Sequence, residues 1–159
     1  MSLYPDANLI IHLCVRSQDT ETFARAGRVL RWLNRREIPV VVSPLAVYEA
    51  KKHFWGLPED IRVPAEAELE RLLSDWDPVI TGWAEAIEHA LAIAQELRQR
   101  LMVDSADTLH VGWAQAEECT HFASFDTFSG TRALAYARGL KVVPEMKPRD
   151  FEQLARLKN

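Results

Sequence analysis

The run Pro39-Val40-Val41-Val42-Ser43-Pro44-Leu45-Ala46-Val47-Tyr48-Glu49 sets the fold class. Consecutive β-branched valines suit a strand buried on both faces, because no position has to alternate with water. Pro44 stands where a helix begins: in the first turn its missing N–H costs nothing, and the helix it opens runs through Glu49. A buried strand feeding directly into a helix is the repeating unit of a parallel α/β sheet.

Working outward from this run, the same alternation recurs. Upstream, residues 20–36 are amphipathic, with Phe23, Ala26, Leu30 and Leu33 on one face and Arg28, Arg31 and Arg35 on the other. The arginine stripe reads as a solvated helix face. Before it, residues 2–4 suit a short strand closed by Pro5, and a helix opens near Asp6 with Leu9, Ile10 and Leu13 turned inward. Downstream, residues 54–64 contain Gly56, Pro58 and Pro64 and read as a connection. Helices are expected over 65–76 and over 81–101, the second with Trp83, Ile87, Leu91, Ala94 and Leu97 at helical spacing. A helix from about 104 to 118, a strand over 121–125, a helix over 129–138 stopped by Gly139, a strand over 140–143 and a helix over 150–157 complete the order. The expected architecture is one domain spanning 1–159, a three-layer α/β/α sandwich around a central, mostly parallel sheet. In such sheets ligands gather at the carboxyl ends of the strands.

Composition narrows the function classes. Over 159 residues, 48% apolar and 26% charged residues make an ordinary globular balance. A net charge of -4 gives no general attraction to nucleic acid or anionic membrane, so a polyanion would need a local basic patch or bound cations. No apolar run approaches a membrane span. Cys14 and Cys119 form no CxxC pair and read as reduced core residues, and the N-terminus lacks a signal peptide's basic start, so a cytoplasmic location is expected. The five tryptophans, Trp32, Trp55, Trp76, Trp83 and Trp113, exceed what a small core usually buries; an amphipathic core role is the default, with some available to an interface.

Acidic residues at the strand ends carry the chemistry. Asp6 follows the first strand and taken alone is an ordinary N-cap. Glu49 rides on a helix turn made unusually apolar by Leu45, Ala46, Val47 and Tyr48. Asp104 and Asp107 resemble a capping box, which needs one of them and leaves one to spare. Asp126 ends Phe122-Ala-Ser-Phe-Asp126 and singly is a turn aspartate. If the sheet is parallel, Asp6, Glu49, Asp107 and Asp126 converge on one edge. Carboxylates so close raise one another's pKa values unless cations neutralise them, and oxygen-only ligation suits Mg²⁺ or Mn²⁺ rather than Zn²⁺. Such ions bind a scissile phosphate, lower the pKa of an attacking water and stabilise the leaving oxygen. His110, sharing its helix with apolar residues, reads as a packed histidine.

With these segments in this order, the chain resembles the PIN-domain family, and within it the VapC-type toxins of toxin–antitoxin pairs. Tyr4-Pro-Asp6-Ala-Asn8 resembles the family's strand ending in Asp-Thr-Asn, Ser43-Pro-Leu-Ala-Val-Tyr-Glu49 its Ser-Pro…Glu segment, and Asp107-Thr-Leu-His110 its Asp-Ala-Leu-His helix start. Ser124-Phe-Asp126 resembles the Ser/Thr-x-Asp strand end, and Gly139-Leu-Lys-Val-Val143 the last strand. The resemblance implies an acidic metal site of Asp6, Glu49, Asp107 and Asp126, with Asn8 and Ser124 as polar supports. It implies a Mg²⁺- or Mn²⁺-dependent endoribonuclease, an RNA substrate, a small antitoxin partner and a homodimer. Ala7 departs from the pattern by removing a hydroxyl, and Pro5 by removing a backbone donor. Lys51 and Lys52, just beyond Glu49, are the candidates for gripping the RNA backbone. The alternatives are a non-catalytic RNA- or metal-binding module, which the complete acidic set argues against, and another metal-dependent phosphohydrolase. Asp6-Ala-Asn8 lacks the second aspartate of an Asp-x-Asp phosphatase nucleophile.

Overall fold

Among the described residues strand and helix alternate only toward the two ends of the chain; six helices in a row separate the first strand from the second. The computed structural model describes residues 1–16, 20–76, 83–97, 103–126 and 129–158. In order they form β1 (Leu3–Pro5), α1 (Ala7–Cys14), α2 (Thr20–Arg35), α3 (Pro44–Trp55), α4 (Glu59–Trp76), α5 (Trp83–Leu97), α6 (Ser105–Ala116), β2 (His121–Ala123), α7 (Thr131–Ala137), β3 (Lys141–Val143) and α8 (Pro148–Lys158). The strands make a parallel sheet in the order β1-β2-β3, with Leu3, His121 and Lys141 in register.

Period-2 alternation divides the core between the two faces of this sheet. Leu3 and Ala123 join Leu9, Ile10, Leu33, Ala46 and Leu69 in one cluster with α1 to α4. Tyr4, Phe122 and Val142 point the other way, into a cluster with Val111 and Trp113 of α6 and Leu134 of α7. Helices thus cover both faces, as the three-layer reading requires. Both cysteines are free and buried, and burial pushes the thiols up, to about 12 for Cys14 and about 11 for Cys119. Among the described residues no helix is long and apolar enough to cross a membrane.

The valine run departs from expectation. Residues 39–43 lie beside β1 but make a single parallel bridge, Leu3 with Val40, and no strand. The Leu3 N–H donates to the Pro39 carbonyl (2.9 Å) and the Val41 N–H to the Leu3 carbonyl (2.8 Å). The next rung of a parallel ladder would come from the N–H of residue 5, and Pro5 has none. Burial on both faces still holds for Val40, Val41 and Val42. Composition reported their burial; the proline in the neighbouring strand decided their pairing.

Two further readings are corrected. Residues 54–64 are mostly helical, because α3 continues to Trp55 and α4 already begins at Glu59. Pro64 gives up one backbone bond, and burial of Ala65, Leu69 and Leu72 on the same helix outweighs that loss. On α5 the large apolar residues at helical spacing do not form the buried face: Trp83, Ile87 and Leu91 are exposed, whereas Ala86, Ala90 and Ile93 are buried. The rest of the expected 81–101 helix lies outside the described residues. On α2, Phe23 is likewise exposed and Val29 takes its place in the core.

The cause on α5 is a close approach by α6. A Cβ on Gly112 would stand 2.7 Å from the Ala86 carbonyl oxygen and 2.8 Å from the Ala90 nitrogen, both backbone atoms. Only small residues fit between the two helices, so the larger apolar side chains turn away. Gly112→Ala is therefore expected to cost about 2–3 kcal/mol through overpacking, lowering the thermal midpoint by roughly 5–10 °C. A midpoint unchanged in thermal unfolding would show that the helices can separate freely.

Candidate active site

Each acidic candidate is set by local structure at the carboxyl edge of the sheet. The Asp6 N–H pairs with the Ala123 carbonyl (2.9 Å), which ties the end of β1 to the end of β2. Its side chain caps α1, Oδ1 accepting from the Leu9 N–H at 3.0 Å. Ser43 caps α3 in the same way, Oγ accepting from the Ala46 N–H at 3.1 Å, and so starts the helix that presents Glu49. On α6 the cap is Asp104, whose Oδ1 accepts from the Asp107 N–H at 2.8 Å. Asp107 is thereby the acid to spare. Asp126 follows β2, its N–H donating to Ser124 Oγ (3.1 Å) while its carboxylate accepts from the Ser129 hydroxyl (2.7 Å) and N–H (3.2 Å).

Asp6, Glu49, Asp107 and Asp126 all line one open cleft of about 430 Å³, together with Asn8, Lys52, His53, Asp104 and His110. Burial pushes the Asp6 carboxyl up to about 6; the charge of Asp126 adds to this, while His110, a hydrogen bond from Ser124 and the Leu9 N–H pull the other way. Burial also raises Asp107, the charges of Asp104 and Asp126 acting in the same sense and a hydrogen bond from Thr131 opposing. The two supporting positions sit where they can act: Asn8 lines the cleft and Ser124 bonds both Asp6 and Asp126. Lys52 and His53 face the cleft from α3, but Lys51 is exposed outside its lining.

His110 does more than pack. It is buried, and its Nε2 donates to Glu49 Oε2 at 2.6 Å while Nδ1 meets the Tyr4 hydroxyl at 2.7 Å. The Tyr4 hydroxyl is in turn 2.6 Å from Ser43 Oγ. A buried chain from the cap of α3 through β1 to α6 thus fixes Glu49. Its partial signal in sequence is spacing, since His110 follows Asp107 by one helical turn and shares its face. Ser129, Thr131 and Tyr4 carried no such signal.

A divalent cation fits the chemistry of this donor set, which is all carboxylate oxygen around a desolvated acid. The spacing is looser than the chemistry. Among the described residues no group of three or more His, Cys, Asp or Glu side chains is gathered tightly enough to hold an ion. Each carboxylate is instead held by its own protein donors, Leu9 and Ser124 for Asp6, Ser129 for Asp126, Thr131 for Asp107 and His110 for Glu49.

No family model and no curated protein matches the sequence. Solved structures do match. VapBC2 from Rickettsia felis, bound to a promoter DNA fragment, is 15% identical with a TM-score of 0.66, over 89% of this chain and 97% of that one. FitAcB from Neisseria gonorrhoeae is 17% identical with a TM-score of 0.64, over 88% and 95%. VapC20 from Mycobacterium tuberculosis, a toxin that cleaves the sarcin–ricin loop, is 16% identical with a TM-score of 0.62, over 87% and 96%. At these identities the likeness is one of fold, and the fold is PIN-like.

Proposed function

We propose that the chain is a metal-dependent endoribonuclease, the toxin of a type II toxin–antitoxin pair. The observation that carries the reading is the convergence of Asp6, Glu49, Asp107 and Asp126 on one cleft at the carboxyl edge of a PIN-like sheet. The likeness to a toxin that cleaves the sarcin–ricin loop supports RNA as the substrate class. When bound, Mg²⁺ or Mn²⁺ would grip the scissile phosphate and make water nucleophilic at neutral pH. The four carboxylates would hold the ion or ions. Ser124 orients Asp6 and Asp126, Ser129 fixes Asp126, and the Tyr4–His110 pair holds Glu49 toward the cleft. Incubation with structured RNA in Mg²⁺, Mn²⁺ or EDTA tests the assignment; cleavage that persists in EDTA would remove the metal from it.

Lys51 and Lys52 differ in placement, and their variants should differ too. Lys52→Ala is expected to weaken RNA binding and to flatten its salt dependence by about one phosphate contact, a slope change of roughly 0.7 for a single strand. Lys51→Ala should do less, because Lys51 stands off the cleft. Fluorescence anisotropy across a salt series reads both, and equal losses would contradict this division.

Partners complete the reading. An antitoxin segment would lie in the groove between α1, α2 and α4 lined by Leu13, Phe23, Ile61 and Pro64. A homodimer would use exposed apolar surface such as the Trp83–Ile87–Leu91 stripe of α5. The likeness to structures of complexes supports an antitoxin as partner.

A further inference from the structure

Away from the acidic cleft, α2 and β3 enclose a groove of about 510 Å³. Arg25, Arg28 and Lys141 line it against one carboxylate, Glu145, and Trp32 and Val143 supply apolar surface. The Arg25 guanidinium stands 5.4 Å over the ring of Phe125, the residue before Asp126, which puts one end of the groove beside the cleft. The arginine stripe of α2 is thereby divided. Arg28 faces the groove; Arg31 and Arg35, equally exposed, are not among its lining residues.

We propose that this groove carries the single-stranded RNA flank leaving the cleft, its phosphates on Arg25, Arg28 and Lys141. The proposal rests on the ribonuclease reading of the cleft and names where that enzyme holds its substrate. The charge distribution argues for it. The cleft sets five carboxylates, Asp6, Glu49, Asp104, Asp107 and Asp126, against one lysine, Lys52. A polyanion on a chain of net charge -4 needs cations elsewhere, and this groove supplies three, running from Arg25 beside the cleft to Lys141 at the start of β3. An acidic peptide strand is the competing occupant, since β3 is the last strand of the sheet among the described residues. β3 is only three residues long and is followed by Pro144, so strand addition would gain few backbone bonds. Cations spaced along a groove with an aromatic ring fit a sugar-phosphate backbone and its bases better.

The test uses a fluorescein-labelled oligouridylate in EDTA, where the assigned chemistry is blocked, and two variants of equal charge change. Arg28→Glu with Lys141→Glu is expected to weaken binding about tenfold or more and to lower the log–log salt slope by roughly 1.4, two single-strand phosphate contacts. Arg31→Glu with Arg35→Glu should stay within about twofold of the parent chain, because long-range charge is largely screened at ordinary salt. Equal losses in both variants, no loss in either, or no binding by the parent chain would each overturn the proposal. So would displacement of the RNA by oligoglutamate at concentrations matching unlabelled oligouridylate, which would give the groove to a peptide. Cleavage assays separate the two readings. If the parent chain cuts no RNA in Mg²⁺ or Mn²⁺ yet the binding contrast holds, the ribonuclease reading fails and the groove stands. If the Arg28/Lys141 variant cuts with an unchanged KM, the groove fails and the ribonuclease reading stands.

Discussion

Asp6→Asn is expected to abolish RNA cleavage, by more than about a hundredfold, and at the same time to stabilise the metal-free protein at neutral pH. Both effects follow from one buried carboxyl. Asp6 is 4% exposed, and burial holds its pKa at about 6 instead of 3.8. The folded state therefore binds this proton more tightly than the unfolded state does. Its contribution is fully present below pH 3.8 and is lost as pH rises through 6, so ionised Asp6 costs at most about 3 kcal/mol above that, at 1.36 kcal/mol per pH unit. Asparagine removes the ionisation and keeps an Oδ1 to cap α1 through the Leu9 N–H. The variant's gain in thermal midpoint, measured in EDTA, should be small at pH 4 and grow toward pH 8. Added Mn²⁺ should raise the midpoint of the parent chain more than that of the variant. Undiminished cleavage by the Asp6→Asn protein would sink the mechanism.

The position of Asp6 was legible because it depends on local facts: a strand that ends at Pro5, a helix that needs a cap, and a parallel sheet whose carboxyl ends share an edge. Asp107 was legible for a related reason, since Asp104 satisfies the helix start and leaves it over. What escaped depends on contacts between distant segments. The bond from His110 to Glu49 joins residues 61 apart, and no periodicity reports it. The buried face of α5 was not legible because hydrophobicity favours Trp83, Ile87 and Leu91, whereas the packing distance is set by Gly112 on another helix. The valine run shows the same limit within the sheet. Its burial is written in its own residues, but its ladder is cut by a proline in the strand alongside.

Arg132 escaped for the same reason, and its removal should have the largest effect on stability. Arg132 and Asp150 are each 1% exposed, and the arginine's Nε donates to Asp150 Oδ2 at 3.1 Å. Its remaining donors reach the Ser124 carbonyl, the Pro144 carbonyl at 2.7 Å and the Glu145 carbonyl at 3.0 Å. One guanidinium thus joins the end of β2, the segment after β3 and the first turn of α8. Arg132→Met would leave the buried Asp150 carboxylate without its counter-ion, held by the Lys147 N–H alone (2.8 Å), and these carbonyls without their donor, a loss of about 3–5 kcal/mol and roughly 10–15 °C in thermal midpoint. Arg132→Lys should recover little, because an ammonium cannot span the carboxylate and the carbonyls together. Combining Arg132→Met with Asp150→Leu should recover a large part, since removing both charges abolishes the unpaired ion while the carbonyls stay unserved. Urea unfolding of the three variants reads the cycle. A loss under about 1 kcal/mol for Arg132→Met would mean that water enters and replaces the guanidinium. Because Ser124 orients both Asp6 and Asp126, surviving Arg132→Met protein should also cleave RNA more slowly at a temperature where it is fully folded. The stability of this corner and the geometry of the cleft meet at Ser124, whose carbonyl takes the guanidinium and whose hydroxyl serves Asp6 and Asp126.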